Sequence, residues 1–125
     1  MKLFVMLGSI NMALAVAIGA FGAHGLASKV TVKMLANWQT GAHYHIIHAL
    51  ALVAIGILMT QMPSQTSLLT WAGWLLFAGI ILFAGSLYVM VLTDVTKLGA
   101  ITPIGGLAFI AAWVLVAISA VKQLN

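Results

Sequence analysis

The sequence predicts an all-α protein, a bundle of four transmembrane helices, and three observations carry that expectation. Four long apolar runs fill most of the 125 residues, no run contains Asp, Glu, Lys or Arg, and nearly every charge lies in the short breaks between runs. Hydrophobic residues make up 64% of the chain and charged ones 5%. A soluble domain carries about 25% charged residues, so a chain with this composition and a mean hydropathy of +1.21 belongs in lipid. Inside a bilayer each backbone amide must be hydrogen-bonded within its own element, and runs this long are not barrel strands, so helices remain. Because roughly 20 apolar residues cross the hydrocarbon core, residues 1–125 make one integral membrane domain, multi-pass in the cell membrane, with no room for a second.

The first run, Leu3 to Ala23, follows Lys2 and carries Ala13, Ala15 and Ala17 at the small-residue spacing of a secretory leader. Its length, sufficient to span, favours a first membrane helix. The longest break follows, from Ala27 to Thr40. Val32, Leu35 and Trp38 recur there at three-residue spacing, and Lys29, Lys33 and Asn37 at four. That pattern fits either a short helix lying in the headgroup layer or an early start to helix 2. The second run, Thr40 to Met62, ends at Pro63; the third, Ser67 to Val91, ends before Asp94 and Lys97; the fourth, Leu98 to Val121, has Pro103 near its start. Both prolines suit helix edges, where a missing amide costs least. Trp38, Trp71 and Trp74 lie near run ends, where indoles favour the membrane interface.

Four crossings put both termini and the Gln61 to Thr66 connection on one side, termed side A, and the connections after helices 1 and 3 on side B. The lysines divide as Lys2 and Lys122 on side A against Lys29, Lys33 and Lys97 on side B, too even a division to set orientation. The net charge of +4 is thus spread over two membrane edges. A nucleic-acid binder gathers its basic residues on one soluble face, so nucleic acid is excluded as a partner and the lipid bilayer is the expected one. With no cysteine in the chain, disulfides and thiolate chemistry are excluded as well.

Small residues recur at helical spacing: Gly8, Asn11, Ala15 and Gly22 in helix 1; Ala72, Gly79 and Ser86 in helix 3; Gly105, Ala108, Ala112 and Ser119 in helix 4. Association in lipid relies on close van der Waals contact, which small residues permit. The stripes predict tight packing within the bundle; a sharper reading makes one of them the interface of a homo-oligomer or of a membrane-protein partner.

All four histidines fall between His24 and His48. Helix 1 ends on side B and helix 2 starts there, so topology alone directs His24, His43, His45 and His48 toward one membrane face. At 100° per residue, His45 and His48 are about 60° apart, Tyr44 is about 40° from His48, and His43 points away. The candidate inward set is therefore His24, Tyr44, His45 and His48, and two readings of it stand. In one, the histidines are neutral, hydrogen-bonded links between helix ends. In the other, His24, His45 and His48 form a metal set with an open position, suited to Zn²⁺, Cu²⁺ or a haem iron rather than to oxygen-seeking Ca²⁺ or Mg²⁺. A small transporter is a further reading; a proton-coupled one needs a membrane-embedded carboxylate, and the sole acid, Asp94, stands at a run end. A hydrolase needs a nucleophile beside a base, and neither Ser9 nor Ser86 has an acid–histidine relay near it in sequence.

Four stretches are distinctive together: GAFGAHGL (Gly19 to Leu26), the run from Trp38 to Leu52 containing WQTGAHYHIIHALAL, AGSLY (Ala84 to Tyr88) and TPIGG (Thr102 to Gly106). In this order they resemble the YgdD/YwdK-like family of small bacterial membrane proteins, a domain-of-unknown-function family with animal relatives. The resemblance covers nearly the whole chain and implies a four-helix membrane protein without assigning a reaction. It also implies a different polar residue, often Gln, where His45 stands, which tells against a metal site that needs His45. All four motifs fall on side B, at the end of helix 1, the start of helix 2, near the end of helix 3 and the start of helix 4. Packing alone gives no reason to avoid side A. The expectation is therefore a non-enzymatic protein with a polar ligand site or partner surface on side B, built from His24, Tyr44, His48, Ser86, Tyr88 and Thr102.

Overall fold

Each apolar run forms one helix, because lipid leaves the backbone no other partner over that length. A computed structural model describes residues 1–125 throughout, and it contains four helices long and apolar enough to cross a membrane: α1 (Lys2–Leu26), α2 (Val32–Gln61), α3 (Pro63–Thr93) and α4 (Thr96–Leu124). No strand is present. At 1.5 Å per residue, the 30 residues of α2 extend about 45 Å, longer than the hydrocarbon core of about 30 Å, so its first turns stand outside the apolar run. The break from Ala27 to Thr40 is accordingly not a separate interfacial helix; α2 simply starts early. Thr31 sets that start: its hydroxyl oxygen accepts the amide of Met34 at 3.1 Å, which satisfies one of the donors a helix N-terminus leaves free.

The other ends have equally local causes. Pro63 opens a 3₁₀ turn over Pro63–Gln65, and Pro103 lies in the first turn of the α-helical part of α4. Asp94 ends α3 in the left-handed conformation, with φ 58° and ψ 24°. Among residues with a side chain, Asp and Asn enter that region most readily because a short polar group can bond locally. Two wide, π-helical turns interrupt the α pattern, at Gly22–Leu26 in α1 and at Ile80–Gly85 in α3, and both lie in the side B half.

Helix α1 lies along α2, α4 lies along α3, and α2 and α3 meet in the middle. The main core gathers Phe4, Leu52, Ile55, Leu69, Leu76 and Phe109, and a smaller cluster near side B gathers Leu26, Trp38 and Val91. The small-residue stripes are where backbones meet. A Cβ added to Gly8 would come 2.6 Å from the Val53 side chain and 2.8 Å from the carbonyl oxygen of Ala49, so α1 and α2 approach closely there, with no room for a side chain on the α1 side. Gly8, Asn11, Ala15, Gly22, Ala72, Gly79, Ser86, Gly105, Ala112 and Ser119 are all buried, with Ala108 half-buried. The stripes are thus used inside the bundle, and none remains open for a second copy. The opposite faces are apolar and exposed, as in Met6, Ile10 and Leu14 of α1 and Leu107, Val114 and Val121 of α4, which suits contact with lipid.

Trp38 departs from its expected interfacial role. Trp71 and Trp74 are exposed, but Trp38 is only 3% exposed. Its indole packs where a Cβ on Gly22 would stand and donates to the carbonyl oxygen of Ile18 at 2.9 Å. Gly22 gives up its side chain so that α2 can lock α1 with a buried hydrogen bond.

Candidate functional site

The side chains expected to share one polar site fall into separate groups. Ser86 and Thr102 join α3 to α4, their hydroxyl oxygens 2.6 Å apart. Ser86 donates to the carbonyl oxygen of Phe83 at 2.9 Å, so the Thr102 hydroxyl is the donor to Ser86. Tyr88 belongs to a second group with His45, and Tyr44 and His48 to a third. His24 joins none: it is exposed at the end of α1 and its ring hydrogen-bonds to nothing in the chain. Topology brings His24 to the correct membrane side, but it does not fix lateral distance across the bundle.

The second group is a buried chain of hydrogen bonds across three helices. Asn11 of α1 donates through Nδ2 to the carbonyl oxygen of Leu7 at 2.9 Å, which turns its Oδ1 toward α2. His45 Nε2 lies 2.9 Å from that oxygen, and His45 Nδ1 lies 3.0 Å from the Tyr88 hydroxyl of α3. A carbonyl oxygen only accepts, so His45 Nε2 carries the proton and donates to Asn11; an imidazole buried without a counter-charge is neutral, so Nδ1 accepts from the Tyr88 hydroxyl. His45 is 4% exposed and Asn11 9%. The imidazole is neutral and saturated, acting as a bridge that ties α1 and α3 to α2.

The third group forms a wall. His48 Nδ1 lies 2.7 Å from the carbonyl oxygen of Tyr44, one turn earlier, and the indole of Trp113 in α4 donates to His48 Nε2 at 3.1 Å. An indole only donates and a carbonyl only accepts, so this histidine is neutral with its proton on Nδ1. Its ring stacks on Phe109, with centroids 3.6 Å apart and planes 8° from parallel. Beside it runs a groove of about 480 Å³, with walls of Tyr44, Ile47 and His48 from α2 and Gly106, Phe109, Ile110 and Trp113 from α4, and Phe83 of α3 as its floor. Tyr44, Ile47, Ile110 and Trp113 are exposed on the lipid-facing surface, so the groove opens sideways into the bilayer. Gly106 and Tyr44 lie nearer side B, and Trp113 lies deeper, because α4 enters from side B. No buried side-chain nitrogen or oxygen in the chain lacks a hydrogen-bond partner. The groove nevertheless has one free polar atom, the Tyr44 hydroxyl, which makes no hydrogen bond within the chain while its ring packs on Phe83 at 4.6 Å.

These bonds correct the expected metal set. His24, His45 and His48 do not converge, and no group of three or more His, Cys, Asp or Glu is placed to hold a metal ion. Each lone pair on His45 and His48 that a metal would need already accepts a hydrogen bond. Three further residues build these groups. Asn11 shares the spacing of the small packing residues of α1, yet an amide in mid-span signals a hydrogen-bonded partner across helices. Trp113 and Phe109 look like ordinary lipid or core residues in a run that is apolar throughout. Only the depth match between α2 and α4 reveals them.

Comparisons with known proteins agree with this architecture. Residues 18–106 match the family model described as protein of unknown function (DUF423). The chain is 52% identical over 124 residues to the UPF0382 membrane protein YwdK of Bacillus subtilis strain 168, covering 99% of this chain and 100% of that one. It is 50% identical over 123 residues to the UPF0382 membrane protein SAUSA300_0565 of Staphylococcus aureus strain USA300, covering 98% of each. No solved structure matches the chain.

Proposed function

The chain belongs to the DUF423 family of small multi-pass membrane proteins, and from that premise we propose that it is a non-enzymatic, single-domain protein that binds the hydrocarbon chain of a membrane amphiphile in the α2–α4 groove. The observation that carries this reading is the groove itself: an aromatic cleft at membrane depth, open to lipid along one side, with a single unpartnered hydroxyl at its side B end. Ligand sites are typically clefts of about 300–1,000 Å³, largely apolar, with a few polar groups that fix orientation. Tyr44 supplies the polar group, so the ligand lies with a hydroxyl or carbonyl toward side B and its apolar chain along Ile47, Ile110 and Trp113.

His48 contributes shape. With both ring nitrogens engaged, it holds Trp113 and Phe109 at the groove rather than reacting. A second copy of the chain, or a helix of a membrane-protein partner, is the competing occupant of the same surface. Gly106 provides the discriminating variant: it lines the groove and a Cβ there meets nothing closer than the Phe83 ring at 3.8 Å, so the larger side chain of Gly106→Leu is expected to take up groove space. Native mass spectrometry of detergent-purified protein is expected to show an amphiphile retained by the wild-type chain and lost from Gly106→Leu. Equal retention by both, or a dimer that Gly106→Leu dissociates, would count against the proposal.

A further inference from the structure

At the side B surface, where the α1–α2 connection passes the end of α3, lies a second cavity of about 350 Å³ lined by Lys29, Thr31, Met34, Val91, Leu92 and Asp94 among its residues. It shares no residue with the α2–α4 groove. Two features set it apart. It contains the only acidic side chain of the chain together with a lysine, and the structure records no ion pair and no side-chain hydrogen bond for either. Opposite charges that face one cavity without meeting are arranged for a ligand that carries both signs.

The alternatives fail on charge or on donor count. A simple anion at Lys29 would meet Asp94, and a simple cation at Asp94 would meet Lys29. Calcium takes six to eight oxygen ligands and magnesium an octahedral shell, which one carboxylate does not provide. We propose that this cavity binds a zwitterion bearing a phosphate and a primary ammonium, with Lys29 at the phosphate and Asp94 at the ammonium. Met34, Val91 and Leu92 give the cavity an apolar side, and it lies between the ends of membrane spans, at headgroup depth. An aminophospholipid headgroup therefore meets it without leaving the bilayer. Phosphoethanolamine free in solution has the same chemistry, and the experiment separates the two sources. A quaternary ammonium has no N–H to donate to Asp94, so a choline headgroup is a poor substitute.

The test uses the full chain purified in detergent, mixed with equal amounts of phosphatidylethanolamine, phosphatidylcholine and phosphatidylglycerol of one acyl composition, with retained lipid read by native mass spectrometry. Wild type is expected to retain the ethanolamine lipid over the other two by about fivefold, the size of one exposed charge pair. Asp94→Asn keeps the left-handed turn, since Asn adopts it as readily as Asp, and is expected to remove the preference over choline. Lys29→Gln is expected to weaken retention of all three, and Lys97→Gln, outside the cavity, to change nothing. If soluble phosphoethanolamine competes at equal concentration, the site chemistry stands and its source is the free zwitterion. Equal retention of the three lipids by wild type, a preference over choline that survives Asp94→Asn, or unchanged retention in Lys29→Gln overturns the proposal. Gly106→Leu is expected to lower the number of lipids retained by the one held in the groove and to leave the ratio among headgroups unchanged, so failure of the groove reading and failure of this one are distinguishable.

Discussion

His45 illustrates how a single imidazole serves a membrane bundle without chemistry of its own. It gives one hydrogen bond to Asn11 and receives one from Tyr88, and any replacement must do both. His45→Gln, which offers an amide donor and a carbonyl acceptor, is expected to keep most of the stability. His45→Leu strands the buried Asn11 amide oxygen and the half-buried Tyr88 hydroxyl, at a cost of about 1–3 kcal/mol. Reversible unfolding in mixed micelles measures the difference, and equal losses for both variants would show that the bridge contributes nothing. At His48, Trp113→Phe removes the donor to Nε2 while keeping an aromatic ring, so a loss of about 1 kcal/mol is expected in the same assay. At this scale the sequence was only partly legible. Helical phase correctly faces His45 and His48 inward, yet phase says nothing of which neighbour stands at the same depth. Asn11, Tyr88 and Trp113 are therefore paired only once the helices are docked, and His24 is left outside every group.

Among elements, two adjacent glycines in α4 make opposite predictions. A Cβ at Gly105 would fall on the backbone of Leu82 and Phe83, 2.8 Å from the Leu82 carbonyl carbon, where the wide turn Ile80–Gly85 bulges against α4. A backbone obstacle cannot rotate away, so Gly105→Ala is expected to destabilise by about 1–3 kcal/mol, the usual range for overpacking. Gly106→Ala meets only Phe83 ring atoms at 3.8 Å and beyond and is expected to be neutral or slightly stabilising, since Ala is the better helix former. Matched unfolding midpoints for the two variants would contradict this account of the α3–α4 contact. The small-residue stripes of Gly8, Gly79 and Gly105 were visible from spacing, because close approach in lipid demands small side chains. The start of α2 is legible only as one of two alternatives. Hydropathy marks where lipid begins, whereas Thr31 ends the coil by capping, and the polar first turns of α2 stand beyond the hydrocarbon.

Over the whole molecule, the bilayer dictates most of what the sequence makes visible. Four uncharged runs in a short chain leave one architecture, and the even number of crossings puts both ends together. Because the chain has no cysteine, single cysteines introduced at Ser64, Ser28 and Lys97 report sidedness directly. An impermeant thiol reagent applied to one side is expected to label Ser64→Cys alone or Ser28→Cys and Lys97→Cys together; labelling of all three from one side would refute the four-span topology. What hydropathy conceals is the groove, since a lipid-facing cleft and a lipid-facing ridge have the same composition. Ile47, Ile110 and Trp113 become a site only through the gap that Gly106 leaves between α2 and α4.

The measurement that bears most directly on the groove is photo-cross-linking in proteoliposomes with a phospholipid carrying a diazirine in its acyl chain, followed by peptide mapping. Adducts concentrated on Tyr44, Ile47, Ile110 and Trp113, and strongly reduced in Gly106→Leu, are the predicted result. Adducts spread evenly over the exposed faces of α1 and α4, with no change in Gly106→Leu, would mean that the cleft is ordinary lipid-facing surface and would contradict the proposed function.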